Sequence, residues 1–343
     1  MQNKTEKTAA KQKKGGSRLI WILYAVLAVL IIAYAVRNSP IIGAAALIAI
    51  VAVLIAEFKY SVRSEGMKKS IIDILVALGA VAALWIVLMV VLDTGAPIDV
   101  VSSCSMLPVL QRGDLVALHG IGNVSQFVSS NHIPVVNVSA TEMSKFLGNI
   151  ENEFVSFYAY NPSNMSEIST TVIGNSTYKV GLYNNKCLDT YSYLEEYYNY
   201  YKCRVIQNSQ AGNLITYQYG VGRIDIRNQQ YGVVYTSAIT VANTTIVENY
   251  SNPIIVYRTT ANDSFTGDII HRVYAVMRSG ENYYFLTKGD NNPGLDIQFV
   301  NYPATQNGVV GYYVGGIPVL GYLKLIISGE LQGQAQCGQV IVH

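Results

Sequence analysis

The stretch IIDILVALGAVAALWIVLMVVL, residues 71–92, is apolar except for Asp73 and separates two parts of the chain with different sequence patterns. A helix that crosses a bilayer needs roughly 20 apolar residues, and this stretch has that length. Two further apolar stretches precede it, at residues 19–36 and 41–56. Half of the 343 residues are hydrophobic and only 13% are charged. We therefore predict three transmembrane helices within residues 19–92 that anchor the chain in a lipid bilayer.

The basic residues predict how these helices are oriented. Residues 1–70 hold 11 Lys or Arg against three acidic residues, whereas the rest of the chain holds 13 against 19. The basic segments 1–18 and 59–69 flank the predicted spans, and Lys and Arg collect on the cytoplasmic side of membranes. We thus assign residues 1–18 to a cytoplasmic tail and expect no nucleic-acid partner. The chain after about Asp93 is then extracytoplasmic in a multi-pass protein of the cell membrane.

A cleavage signal offers a second interpretation of the first span. Ala33-Tyr34-Ala35 has the small-x-small pattern of a signal-peptide cleavage site. Cleavage after Ala35 would remove the first span, but the large region after Asp93 would stay on the outer face in either case.

From Ile98 onward the pattern changes to short runs of branched and aromatic residues bounded by Gly, Asn, Asp or Pro. The runs are Asp114–Leu118, Ile254–Arg258, Ile269–Met277, Tyr283–Thr287 and Val309–Val314. They predict an antiparallel β-domain built from residues 97–119 and 253–330, with a tail at 331–343. The expected fold class is therefore a membrane-anchored, mainly β protein.

Residues 120–252 form a predicted insertion into this domain, rich in Tyr and Asn and expected to be rich in β-strands. Fifteen of the 26 tyrosines lie between Tyr158 and Tyr250. Seven Asn-x-Ser/Thr sequons after Asp93 predict a glycoprotein; they begin at Asn123, Asn137, Asn164, Asn175, Asn243, Asn249 and Asn262. Cys187 and Cys203 flank the most Tyr-rich part and form either a disulfide or two reduced thiols. No metal-ligand spacing occurs, so we expect no metal and no cofactor.

Three segments outside the insertion concentrate residues suited to catalysis: Ser103–Pro108, Gly267–Val273 and Leu286–Asn292, with Asp296 beyond the third. A serine hydroxyl is a poor nucleophile unless a base removes its proton, and histidine is the commonest base. The four histidines are at 119, 132, 271 and 343. His119 is an alternative, but His271 lies in a predicted strand near an acidic segment and is favoured. Lys288 is a competing base.

In these segments the chain resembles the signal peptidase I family, in its archaeal and endoplasmic-reticulum branch. The motifs Ser-x-Ser-Met-x-Pro, Gly-Asp-Leu-Val, Ile-Ile-His-Arg-Val and Leu-Thr-Lys-Gly-Asp-Asn-Asn occur in the family's order. Residues 317–322 resemble the closing segment of the family. Bacterial members carry a lysine where His271 stands, so the chain resembles the Ser-His type. The resemblance covers residues 98–119 and 253–322 and leaves the insertion unmatched.

The resemblance implies a role for individual residues. Ser105 would be the nucleophile and His271 the general base, with Asp296 orienting His271 and Asp290 as a second required acid. The Ser103 hydroxyl and the Ser105 backbone N–H would form the oxyanion hole. Two further residues, Met106 and Pro108, would shape the site, with Met106 packed near the membrane surface and Pro108 fixing a turn.

The function implied is that of a serine endopeptidase, a hydrolase that removes signal peptides from secretory precursors at the outer membrane face. Its partners would be signal-peptide-bearing precursors and the bilayer, and contact with the translocation machinery stays open. Two alternatives remain: a surface glycoprotein with a degenerate protease domain, and a peptidase specialised for pilin-like surface precursors. The protease hypothesis requires Ser105 Oγ to lie within hydrogen-bonding reach of a His271 ring nitrogen.

Overall fold

The computed structural model describes residues 20–33, 40–160, 165–173, 176–183, 188–189, 206–207, 214–226, 229–328 and 340–342. Some predictions fall outside these ranges. They concern the basic tail 1–18, cleavage after Ala35, the sequons at Asn164 and Asn175, the Cys187–Cys203 pair, His343 and most of the tail 331–343.

Three helices open the described chain: α1 (Ile20–Ala33), α2 (Pro40–Glu65) and α3 (Met67–Val91). Among the described residues, α3 is the helix long and apolar enough to cross a membrane, and α1 is apolar but shorter. Gly66 separates α2 from α3 with φ of 86°, a backbone conformation that glycine adopts without a steric penalty. The N-terminal part is thus helical and weakly indicates membrane association.

The rest of the described chain is mostly antiparallel β-structure, which confirms the coarse fold prediction. The strands are β1 (Ile98–Val100), β2 (Leu115–His119), β3 (Val135–Asn137), β4 (Val155–Ser156), β5 (Tyr158–Tyr160), β6 (Met165–Ile173), β7 (Ser176–Tyr183), β8 (Leu188–Asp189), β9 (Ile206–Gln207), β10 (Ile215–Ile226), β11 (Gln229–Val241), β12 (Thr244–Val247), β13 (Ile254–Arg258), β14 (Asp268–Ser279), β15 (Asn282–Lys288), β16 (Ala304–Thr305), β17 (Val309–Ile317) and β18 (Ile341–Val342). The helices between and after them are α4 (Val124–Ser130), α5 (Ala140–Leu147) and α6 (Tyr322–Ser328), and two 3₁₀ helices span Ile150–Glu153 and Asp296–Phe299.

One eight-stranded sheet joins the two segments that the sequence predicted to form one β-domain. Its order is β1-β2-β17-β13-β14-β15-β16, and β3 pairs with β14 in the parallel sense. All five predicted runs are strands of this sheet, with ends shifted by a few residues. The long strand β14 is buried on both faces, which explains its nearly continuous run of apolar residues.

Residues 120–252 do not pack as a separate body in the part that is described. Strands β10, β11 and β12 belong to a second sheet of order β18-β10-β11-β5-β8, with β12 on β11. Side chains from these strands and from β14 and β15 share one core; it includes Ile215, Ile239, Val241, Ile246, Tyr274, Met277, Leu286 and Leu295. Helix α4 packs on the other face of β14, where Phe127 lies against Phe285. The central strands are thus covered on both faces by residues of this segment.

Candidate active site

Ser105 lies in a tight turn between β1 and β2. The turn is anchored by Met106, which is fully buried in the core with Leu110 and Val256. Met106 therefore packs inside the domain, in the apolar space formed by side chains of β2 and β13. Pro108 is exposed on the same turn. Burial of Met106 holds the backbone of this turn in place, while Ser105 stays partly accessible to solvent.

The sheet brings His271 to this serine from a position 166 residues further along the chain. His271 is on β14, and its Nε2 lies 2.9 Å from Ser105 Oγ. Its Nδ1 lies 2.8 Å from both carboxylate oxygens of Asp296. With the proton on Nδ1 donated to Asp296, Nε2 is free to accept the Ser105 hydroxyl proton. The three side chains form a continuous Ser-His-Asp chain of hydrogen bonds.

Asp296 opens the 3₁₀ helix Asp296–Phe299 and is 1% exposed. Two further donors satisfy its Oδ2: the Thr287 hydroxyl at 2.6 Å and the Tyr257 hydroxyl at 2.8 Å. Burial, followed by the charge of Asp296, raises the pKa of Tyr257, so this residue stays a protonated donor. A buried carboxylate needs such partners to remain ionised. Thr287 and Tyr257 therefore complete the site beside His271.

Asp290 contacts a different residue. Its two oxygens accept from Arg272 Nε at 2.8 Å and from Arg272 Nη2 at 2.7 Å in a buried, bidentate ion pair. Arg272 also donates to the Asn252 carbonyl at 2.6 Å, and its guanidinium lies over the Tyr250 ring. Asp296 is thus the acid at His271, and Asp290 holds the strand beside it.

Lys288 is not directed to the serine. It is 1% exposed, and its Nζ donates to Glu248 Oε1 at 2.8 Å. Burial raises the pKa of Glu248, while the neighbouring Lys288 charge lowers it to a smaller extent. His271, and not Lys288, is therefore the basic side chain in contact with Ser105.

Ser103 is adjacent to the nucleophile in space, with its Oγ 3.0 Å from Ser105 Oγ. This position is compatible with a hydroxyl that donates to an oxyanion formed at Ser105. Gly289 lies against the same turn, and a Cβ at this position would come within 2.7 Å of the Ser105 carbonyl oxygen. The close approach explains why glycine occupies position 289.

The remaining candidates lie elsewhere. His119 Nδ1 contacts the Gly120 carbonyl at 2.8 Å, and its ring packs on Tyr312. His132 follows α4 with φ of 53°. Cys104 is fully buried and disulfide-bonded, so it is not a thiol nucleophile; its partner lies outside the described residues. The described part of the chain holds no group of three or more His, Cys, Asp or Glu that could bind a metal ion.

Sequence reasoning missed four residues of this region: Tyr257, Thr287, Arg272 and Glu248. Arg272 and Thr287 stand inside the quoted motifs, and a buried Arg in a strand signals the need for an acid nearby. The sequence around Tyr257 and Glu248 carries no signal of their roles. Tyr257 comes close to the site only through the pairing of β13 with β14, and Glu248 only through the packing of the chain after β12. Comparison with known proteins found no family model, no curated protein and no solved structure that matches this chain.

Proposed function

We propose that this chain is a membrane-anchored serine endopeptidase of the signal peptidase I type. The observation that carries the proposal is the 2.9 Å contact between Ser105 Oγ and His271 Nε2, with Asp296 on the other ring nitrogen. A hydroxyl, an imidazole and a buried carboxylate in this order are the parts required for acyl transfer through a serine. Two of the motifs that resemble the family contain Ser105 and His271, and Asp296 follows four residues after the last motif.

The chemistry would proceed in two half-reactions. Ser105 Oγ attacks the substrate carbonyl while His271 Nε2 takes its proton, and Asp296 stabilises the imidazolium that results. The Ser103 hydroxyl and the Ser105 N–H would donate to the oxyanion. His271 then gives its proton to the leaving amine, and the acyl chain stays on Ser105. A water molecule then attacks the acyl carbonyl as His271 takes its proton; the bond to Ser105 Oγ breaks, His271 returns the proton to Ser105 Oγ, and the acyl chain leaves as a carboxylic acid that ionises in water.

The substrate class follows from the membrane anchor. A secretory precursor keeps its apolar signal segment in the bilayer, so its cleavage site is held near the membrane surface. The predicted spans would hold the protease in the same bilayer, with Ser105 about a dozen residues after α3 on the extracytoplasmic side. Joint anchoring raises the effective concentration of the cleavage site at the serine. The multi-pass topology and its orientation are part of this proposal.

The first test is cleavage of a precursor in liposomes. The full-length chain is co-reconstituted with a precursor that has Ala at the first and third positions before the cut, and the product N-terminus is read by mass spectrometry. We expect one cut at this site, none with Ser105→Ala, and normal cutting with Ser102→Ala, which changes an exposed neighbour. An inactive wild-type protein rejects the proposed function, and an active Ser105→Ala protein rejects the nucleophile.

A peptidase specialised for surface precursors is a second candidate, because the insertion contacts the loop after β15 that carries Asp290 and Asp296. The Thr236 N–H of β11 donates to the Pro293 carbonyl at 2.7 Å, and the Thr236 hydroxyl donates to Gln298 at 2.8 Å. Deletion of residues 120–252 would therefore remove the hydrogen bonds that hold this loop, so such a deletion cannot test specificity. Cleavage rates of pilin-like and ordinary precursors, compared at equal enzyme concentration, separate the two. Equal rates favour the general peptidase.

A further inference from the structure

The last described strand, β18, reaches the loop that carries Asp290 and Asp296. It pairs with β10, where Ile341 faces Ile224 and Val342 faces Arg223. Ile341 is buried, and its backbone N–H donates to the side-chain oxygen of Asn291 at 2.8 Å. The chain thus returns to the site from a segment that none of the recognised motifs includes.

Asn291 connects this strand to the nucleophile turn. Its backbone N–H donates to the Ser105 carbonyl at 2.7 Å, and its side-chain Nδ2 donates to the Cys104 carbonyl at 3.2 Å. One residue therefore binds two consecutive carbonyls of the turn, at the nucleophile and the residue before it. Asn291 is 4% exposed, so water does not replace these bonds easily.

The Ile341 N–H determines how the Asn291 amide is oriented. An amide has one acceptor oxygen and one donor nitrogen, and its two ends can exchange places by rotation about the last side-chain bond. The N–H of Ile341 requires the oxygen on its side, which directs Nδ2 toward the Cys104 carbonyl. The disulfide at Cys104 is a second, covalent restraint on the same turn.

We infer that β18 is a positioning element of the proposed protease: through Asn291 it holds the turn that places Ser105 against His271. Ile341 and Asn291 touch no reacting atom in this account; they act through the backbone of Cys104 and Ser105. A displacement of the nucleophile by about 1 Å costs on the order of 100-fold in rate. The expected loss of cleavage rate rests on the proposed function. The structural role of β18 is tested separately by hydrogen exchange.

The experiment compares two substitutions at one position of the full-length protein in detergent. Ile341→Ala removes the buried side chain and keeps the N–H, whereas Ile341→Pro removes the N–H as well. Hydrogen exchange is measured at the Leu107 and Asn291 amides, whose N–H groups donate to the Cys104 and Ser105 carbonyls. We expect exchange at both amides to be at least tenfold faster in Ile341→Pro than in Ile341→Ala. Equal exchange in the two variants overturns the inference.

Asn291→Asp supplies a test that does not depend on β18 folding with proline. It keeps an acceptor for Ile341 and loses the donor to Cys104, at nearly the same side-chain volume. We expect kcat for precursor cleavage to fall about 10- to 100-fold with KM nearly unchanged, together with faster exchange at Leu107. Unchanged exchange and unchanged kcat reject the role of Asn291. If the wild-type protein cleaves no precursor, the proposed function fails, and the exchange measurements still decide the role of β18.

Discussion

Two neighbouring residues of β14, His271 and Arg272, each meet a buried aspartate, and the two pairs differ in kind. His271 Nδ1 lies within hydrogen-bonding distance of Asp296, whose other partners are the neutral hydroxyls of Thr287 and Tyr257. Arg272 forms a bidentate ion pair with Asp290. Adjacent residues of a strand point to opposite faces of the sheet. The loop after β15 therefore supplies one aspartate to each face of β14. In the proposed protease, Asp296 would support proton transfer at Ser105, whereas Asp290 holds the strand through Arg272.

Asp296→Asn is the change that affects activity most. The amide nitrogen can donate to His271 Nδ1, which moves the ring proton to Nε2 and leaves no acceptor for the Ser105 proton. We expect kcat to fall by about 10³- to 10⁴-fold while the thermal unfolding midpoint changes little. The check is precursor cleavage with circular dichroism on the same samples. A comparable loss of kcat in Asp290→Asn, with Asp296→Asn still active, would show that the two acids are reversed.

Asp290→Asn acts on stability. It removes the charge that compensates a guanidinium that is nearly inaccessible to water. Leaving one member of a buried pair without its partner costs about 3–5 kcal/mol of unfolding free energy. Denaturant unfolding in detergent measures this value, and the folded fraction should retain most of its kcat. A loss below about 1 kcal/mol would mean that the pair behaves as a surface ion pair.

Glu153 extends the comparison to a buried acid that bonds to a neutral hydroxyl. It lies in the 3₁₀ helix Ile150–Glu153, is 3% exposed, and accepts from the Tyr217 hydroxyl at 2.5 Å. Burial raises the pKa of Glu153 to about 7 from an ordinary 4.5, although the Tyr217 bond lowers it. The folded protein therefore binds the proton more tightly than the unfolded chain between these pH values.

Protonated Glu153 makes its full contribution to the unfolding free energy below pH 4.5, and this contribution is lost as the pH rises through about 7. The loss amounts to about 3 kcal/mol at most. Glu153→Gln resembles the protonated form, so its unfolding free energy should fall less than that of the wild-type protein between pH 5 and 8. Parallel pH profiles for the two proteins would contradict this assignment. Denaturant unfolding across the pH series provides the data.

The smallest expected effect concerns the hydroxyls that bind Asp296. Thr287→Val and Tyr257→Phe each remove one donor from a carboxylate that keeps its other partners. A lost bond of this kind costs about 1–3 kcal/mol, so we expect kcat to fall roughly 10-fold in each variant. Tyr283→Phe, on the same sheet and away from Asp296, is the matched control. No change in either variant would show that His271 alone keeps Asp296 in place.

The sequence predicted the parts of this molecule that depend on local pattern. The alternation and bounding residues identified the five strands, and the resemblance pointed to Ser105, His271 and Asp290 in the motifs and to Asp296 beyond them. The resemblance made Asp296 the first choice for the acid that meets His271, but the residues alone left the reverse assignment open, because it depends on the direction in which the loop after β15 turns. Glu248 and Asn291 were also beyond reach, since their partners Lys288 and Ile341 are brought near by packing of distant strands.

The insertion shows the same limit on a larger scale. Its Tyr- and Asn-rich composition predicted an inserted module rich in β-strands, but composition does not reveal which apolar side chains of such a module complete another core. Ile215, Ile239 and Val241 cover β14 and β15 in the described structure. The burial of Met106 has the same origin, because the apolar space that it fills is formed by β2 and β13.

In the proposed protease, Ser105 and His271 work as one unit in peptide-bond cleavage. The most direct test is the residual rate of precursor cleavage in Ser105→Ala, His271→Ala and the double variant. Removal of either member of a unit abolishes the step that both perform, so we expect nearly the same residual rate in all three proteins. Additive losses, with the double variant much slower than either single variant, would contradict a shared proton transfer between Ser105 and His271.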